Sequence, residues 1–158
     1  MKIIGKILMW LVMLSVLGCN APVDSVEERR LLLASNERQK EAHFEGSPRL
    51  LLAEMADTVY TVQRGVISVA TKPEMLQRWE AYFKSVKYSR WDDLREPLIH
   101  ISADATQASV SVNKITVSTL IDDPAAGVDT TYFAWTSEYQ KVNGAWKIYK
   151  ITSTRVAK

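Results

Sequence analysis

Thr131 to Val156, TYFAWTSEYQKVNGAWKIYKITSTRV, holds the turn around which the rest of the chain is organised. Asn143-Gly144 stands between two runs of aromatic and β-branched residues, and both turn residues tolerate the positive φ that a two-residue hairpin requires. Thr131–Val142 and Ala145–Val156 are therefore expected as paired antiparallel strands. Upstream, Asp122 to Asp129, with Pro124 and Gly127, reads as a loop, and Thr106–Ile121 reads as a long strand. Within it Ala108, Val110 and Val112 share one face by period two. Tyr88 to Ile101 reads as a strand interrupted near Pro97.

The first half reads as mainly helical. Ser25, with Glu28 three residues on, forms the pattern of a capping box and starts a helix that runs to about Ala42. Gly46 breaks it, and Ser47-Pro48 starts a short second helix carrying Leu50, Leu51, Leu52 and Met55. After Asp57 the pattern turns to strand, Thr58–Gln63, with a reversal at Arg64-Gly65 into Val66–Val69. Thr71 and Glu74 form a second capping box. The helix they open carries Met75, Leu76, Trp79, Tyr82, Phe83 and Val86 at helical spacing. Three helices followed by a strongly curved, mostly antiparallel sheet make an α+β domain.

Ahead of this domain lies a basic-then-apolar leader, Lys2 to Lys6 and then Ile7 to Leu17, ending in Val16-Leu17-Gly18-Cys19. Its apolar part is too short to cross a hydrocarbon core of about 30 Å as a helix, so it reads as an export signal. The final run resembles the lipobox of bacterial lipoproteins, which implies cleavage after Gly18 and acylation of Cys19. Residues 1–18 would then be a signal peptide, 19–24 a lipidated tether and 25–158 the folded domain. The implied location is the bacterial cell envelope, outside the cytoplasm, with the membrane as partner through Cys19. Asn20, by resemblance to proteobacterial sorting, favours the outer membrane. A lone cysteine cannot bridge to another in the chain. The 20 Lys and Arg face 18 Asp and Glu, and the excess is Lys2 and Lys6 of the leader. A balanced, interspersed remainder gives no basic face for nucleic acid.

The order of elements, with Arg64-Gly65, an aromatic helix ending Tyr82-Phe83, and Tyr139 to Ile148 closing on Gly144-Ala-Trp146-Lys-Ile148, resembles the nuclear transport factor 2-like superfamily in its SnoaL-like form. The resemblance implies a cone-shaped sheet wrapped around the N-terminal helices, an apolar pocket at its open end, and a homodimer through the outer sheet face. It leaves function open, because the superfamily includes enzymes, binding modules and oligomerisation domains.

No Gly-x-Gly-x-x-Gly, P-loop, His-Glu-x-x-His, Gly-x-Ser-x-Gly or cysteine pair occurs, which argues against nucleotide cofactors, structural zinc and thiol nucleophiles. No cofactor and no metal are expected. His43 and His100 are the only histidines and are candidates for a general base, as is Asp57 at the helix-to-strand transition. Tyr60, Asp92 and Asp93 complete the polar candidates for the cone. Trp79, Trp91 and Trp135, with Tyr60, are the expected ligand-binding residues, each tryptophan offering apolar area and one N–H. The leading expectation is a lipid-anchored domain that binds a small apolar or amphipathic molecule without catalysis. The alternatives are a cofactor-free lyase or isomerase of the SnoaL-like class and a membrane-tethered protein-interaction module.

Overall fold

The computed structural model describes residues 24–157. The leader, Cys19 and the start of the tether lie outside the described residues. Helix α1 (Ser25–Glu45) is followed by α2 (Pro48–Ala53), β1 (Met55–Gln63), β2 (Val66–Thr71) and α3 (Lys72–Ser85). Then come β3 (Val86–Asp93), β4 (Leu98–Ile101), β5 (Gln107–Leu120), a short 3-10 turn at Pro124–Ala126, β6 (Val128–Val142) and β7 (Ala145–Ala157). One mixed sheet runs β2-β1-β7-β6-β5-β3, with β4 also on β5. All pairings are antiparallel except β1 with β7. The fold is the expected α+β arrangement, a curved, open sheet around N-terminal helices.

Helix starts are as expected for α2 and α3 and differ for α1. Ser47 caps α2, accepting from Leu50 N at 3.4 Å, with Pro48 at the first helical position. At α3 the Glu74 carboxylate reaches back to Thr71 N at 2.8 Å. For α1 the cap is Asp24 rather than Ser25, its Oδ1 accepting from Val26 N and Glu27 N at 3.0 and 3.1 Å. Glu28 is thereby free of the cap and reaches the far end of the chain. It accepts from Trp146 Nε1 at 2.7 Å and pairs with Lys141 Nζ, tying the first turn of α1 to the β6–β7 turn. Gly46 ends α1 at φ 61°, a left-handed position that glycine takes without strain. Met55 opens β1 instead of sitting on α2, so Asp57 lies inside that strand and not at the helix-to-strand transition.

The buried stripe of α1 is Leu32, Ser35, Asn36, Gln39, Ala42 and His43, four of the six polar. Burying such a stripe costs stability wherever a polar group goes unbonded, as the Ser35 hydroxyl does among the described residues, and the others need partners. Gln39 Nε2 donates to the Tyr139 hydroxyl at 3.1 Å, and Tyr139 is itself 1% exposed. Beside the stripe, Arg38 makes a two-pronged ion pair with buried Glu54, at 2.7 and 2.9 Å. The Glu54 carbonyl accepts from Ile148 N at 2.9 Å, which links helix, α2 end and β7. The apolar core around these bonds includes Leu32, Leu51, Met55, Val110, Trp146 and Ile148.

Curvature comes from register breaks. In β7, Glu138 pairs with Lys150 but Tyr139 pairs with Ile148, leaving Tyr149 as an extra residue. In β3, Tyr88 pairs with Ser118 but Arg90 with Val117, leaving Ser89 extra. Each bulge bends its strand and reverses the alternation beyond it. Ile148 and Ile151, three apart, therefore both face inward, as do Tyr88 and Trp91. The outer sheet face is polar across its middle, where Ser111 and Thr136 hydroxyls bond at 2.7 Å and Lys150 pairs with Glu138 at 2.7 Å, and exposes the apolar Tyr60, Ile67 and Val69 on the β1–β2 hairpin.

Replacing Glu28 by Ala removes the tie between α1 and the β6–β7 turn and leaves a tryptophan N–H and a lysine unpaired. The expected cost is about 1–3 kcal/mol, a Tm drop of several degrees. Thermal unfolding checks this; an unchanged Tm would show that the tie does not hold the helix.

Candidate functional site

The sheet and helices enclose a cavity of about 440 Å3, within the range of small-molecule sites. Its wall draws on Gln39 and His43 of α1, Leu51 of α2, and Met75, Arg78, Trp79 and Tyr82 of α3. From the sheet come Val59, Thr61, Gln63, Ser68 and Ala70 of the β1–β2 hairpin, Tyr88 and Trp91 of β3, Phe133 and Trp135 of β6, and Ile151 and Ser153 of β7. Both bulges contribute directly, since without the phase reversals Trp91 or Tyr88, and Ile151, would point outward. Gln63, Ser68, Arg78 and Tyr82 are exposed and form the rim.

His43 stands at the centre of an aromatic wall. Its ring stacks on Trp91 with centroids 3.9 Å apart and meets Trp79, Phe83 and Tyr88 edge to face at 5.6, 5.4 and 5.5 Å. Nδ1 lies 2.6 Å from the Gln39 carbonyl, which can only accept, so the neutral ring carries its proton on Nδ1 and leaves Nε2 as an acceptor. Burial lowers its pKa from 6.5 to about 4, with the Lys114 charge adding in the same direction and the Gln39 bond opposing. At neutral pH His43 is thus an uncharged ring with one lone pair and a weak base. Beside it the Tyr82 and Tyr88 hydroxyls are bonded to one another, and burial with this bond pushes the Tyr88 phenol upward.

Lys114 is a residue that sequence reading missed. It is 0% exposed, on the inner face of β5, with Nζ 2.5 Å from Asp93 Oδ1 in a close ion pair whose angle departs from that of a hydrogen bond. Nζ also lies 5.9 Å from the Trp135 ring centroid, behind the cavity wall. The signal was present: Ala108, Val110, Val112, Lys114 and Thr116 continue one period-two series, and all are buried.

The other candidates fall as follows. Trp79, Trp91 and Trp135 line the cavity together. Tyr60 does not: its neighbours Val59 and Thr61 face inward, so period two turns Tyr60 to the outer face, 48% exposed. Asp57 is outside as well, its side chain 99% exposed and 3.7 Å from Lys72. Asp92 is held at the surface by Arg90 at 2.7 Å, which keeps its carboxyl below the usual range. His100 is exposed on β4, in a shallow groove with Arg29, Pro97 and Ser109, so the two histidines do not meet. Among the described residues no group of three or more His, Cys, Asp and Glu is placed to hold a metal ion.

No family model matches the sequence, and no curated protein is significantly similar to it. Solved structures are similar in fold. A ketosteroid isomerase-like protein from Erwinia carotovora atroseptica superposes with a TM-score of 0.67 at 16% identity, covering 84% of this chain and 98% of that one. A nuclear transport factor 2-like protein from Cytophaga hutchinsonii gives 0.65 at 15% identity, covering 81% and 98%. A type 2 hexachlorocyclohexane dehydrochlorinase gives 0.67 at 12% identity, covering 85% and 91%. At such identities the likeness is one of fold.

The pKa of His43 makes stability depend on pH. Between its folded value of about 4 and its ordinary 6.5, the unfolded chain binds a proton that the folded chain does not. The contribution is complete above pH 6.5, declines as pH falls, and is lost near pH 4. Over that window it amounts to about 3 kcal/mol. Denaturant unfolding at pH 7 and pH 4.5 is expected to show the natural protein losing about 2–3 kcal/mol more than His43→Phe. Equal losses would mean that His43 titrates alike in the folded and the unfolded chain.

Proposed function

We propose that this chain, which has the fold of the nuclear transport factor 2-like proteins, is a lipid-anchored envelope protein that holds a small apolar or amphipathic molecule in its cavity without chemical change. The observation that carries the reading is the cavity wall: three tryptophans, a phenylalanine and two tyrosines around a neutral histidine. No aspartate or glutamate is among the lining residues. Solved proteins of this fold include a dehydrochlorinase, so a cofactor-free lyase or isomerase is the alternative. Its base in this cavity would be His43, and a conjugate acid near pKa 4 makes that base weak for abstracting a proton at neutral pH.

The anchor belongs to the same reading and rests on Cys19 and the leader that precedes it. Two or three acyl chains hold a protein stably at about 0.8 kcal/mol per buried methylene, so the domain itself need not touch lipid. Glu28 ties the tethered start of α1 to Trp146, whereas Ser153 of the cavity wall lies seven residues further along β7, roughly 23 Å at 3.3 Å per residue. The cavity thus sits toward the end of the domain away from the tether, where it exchanges with the aqueous phase. A homodimer through the outer sheet face is also proposed, where hydrogen-bonded polar pairs lie beside the exposed Tyr60, Ile67 and Val69.

Native mass spectrometry of the protein purified from its own host is expected to show a retained small molecule. Ser68→Trp, at the exposed rim, is expected to weaken its binding at least tenfold with Tm unchanged; bound ligand unaffected by the plug would place binding elsewhere. Cys19→Ser is expected to move the protein from the membrane fraction to the soluble one.

A further inference from the structure

Arg78 is the single formally charged side chain among those lining the cavity. Its nearest acidic neighbour on α3, Glu74, feels the guanidinium charge but spends its carboxylate on Thr71, accepting from the backbone N–H and the hydroxyl at 2.8 Å each. The guanidinium therefore stands at the rim with its forked donors available for a planar anion. One helical turn on, at the i+4 spacing that makes helix side chains neighbours, is Tyr82. Its hydroxyl is bonded to that of Tyr88. Two phenols contribute two protons and one bond between them uses only one, so a second O–H remains to donate. Donors thus gather at the rim, aromatic faces at the depth, and the one nitrogen acceptor in the wall is His43 Nε2.

We propose that Arg78 and the Tyr82–Tyr88 hydroxyl pair form an anion seat, and that the ligand is an amphipathic monocarboxylate. Its apolar body lies among Trp79, Trp91 and Trp135 and its carboxylate sits at the rim. The proposal rests on the cavity being a ligand site and adds the class of ligand. A neutral amphipath of the same shape would gain at most a single-acceptor hydrogen bond from the guanidinium, weaker than the paired bonds a carboxylate accepts. A cation would be repelled by Arg78; the Asp129 carboxylate, whose charge reaches Tyr88, lies outside the cavity lining, so the attraction for an anion rests on Arg78. Because the seat is exposed, its contribution is screened by salt.

The test is isothermal titration calorimetry of the purified protein with a naphthylbutanoate and with its neutral amide, at neutral pH and low salt. The acid is expected to bind about tenfold tighter than the amide. In Arg78→Gln that preference disappears, the acid losing far more affinity than the amide, and in Arg78→Lys, which keeps the charge, it persists. Raising salt narrows the gap. Equal affinity for acid and amide in the natural protein, or a preference that survives Arg78→Gln, overturns the anion seat and leaves the cavity as a site for neutral molecules. If neither compound binds, the cavity reading falls and this inference with it. Arg78 is exposed, so Tm is expected to be unchanged in both variants.

Discussion

A long helix with a polar inner stripe is the constraint on which this domain depends. Ser35, Asn36, Gln39 and His43 of α1 are all buried, and burying such groups costs more than it returns unless each has a partner. The sheet supplies Tyr139 for Gln39, His43 bonds the Gln39 carbonyl of its own helix, the Ser35 hydroxyl goes without a hydrogen bond among the described residues, and outside the stripe Trp146 and Lys141 hold Glu28. The Arg38–Glu54 pair closes the third side. These bonds fix where α1 lies inside the curved sheet, and so place His43, near its end, against the aromatic wall. The cavity lies against the C-terminal part of that helix, where Gln39 and His43 line it.

The parts of the fold written in local chemistry were legible in the sequence. Asn143-Gly144 and Arg64-Gly65 both take positive φ at their turns, and Gly46 and Pro48 punctuate the helices where composition says they should. What was hidden depends on long-range pairing. The stripe of α1 has helical spacing but too little apolar content to be seen by hydrophobic periodicity. The bulges at Ser89 and Tyr149 are invisible to period two, although Tyr88 with Trp91 and Ile148 with Ile151 are each three apart and cannot share a face of a regular strand. That spacing, seen twice, was the available clue.

The site followed the same division. The three tryptophans chosen for size and position converge on one cavity, whereas Tyr60 is excluded by simple alternation along β1. His43 looked like a possible base and is placed as an aromatic ring, its basicity lowered by the burial that lets it stack on Trp91. Lys114 shows the converse: a charge carried into the interior on an apolar face, held by Asp93 directly across the sheet and close enough to favour the neutral form of His43. Polar groups with buried partners are the hardest to assign from sequence, because the partner that decides their role lies on another strand.

The central claim is that the space between Trp79, Trp91 and Trp135 is open and apolar enough to hold a ligand body. Crystals of the protein pressurised with xenon test this directly, since xenon enters apolar cavities and scatters strongly. The account predicts a bound xenon atom between the three indole rings and beside His43, with the rings unmoved. Rings collapsed onto one another, with no xenon among them, would contradict it and make the wall an ordinary hydrophobic core.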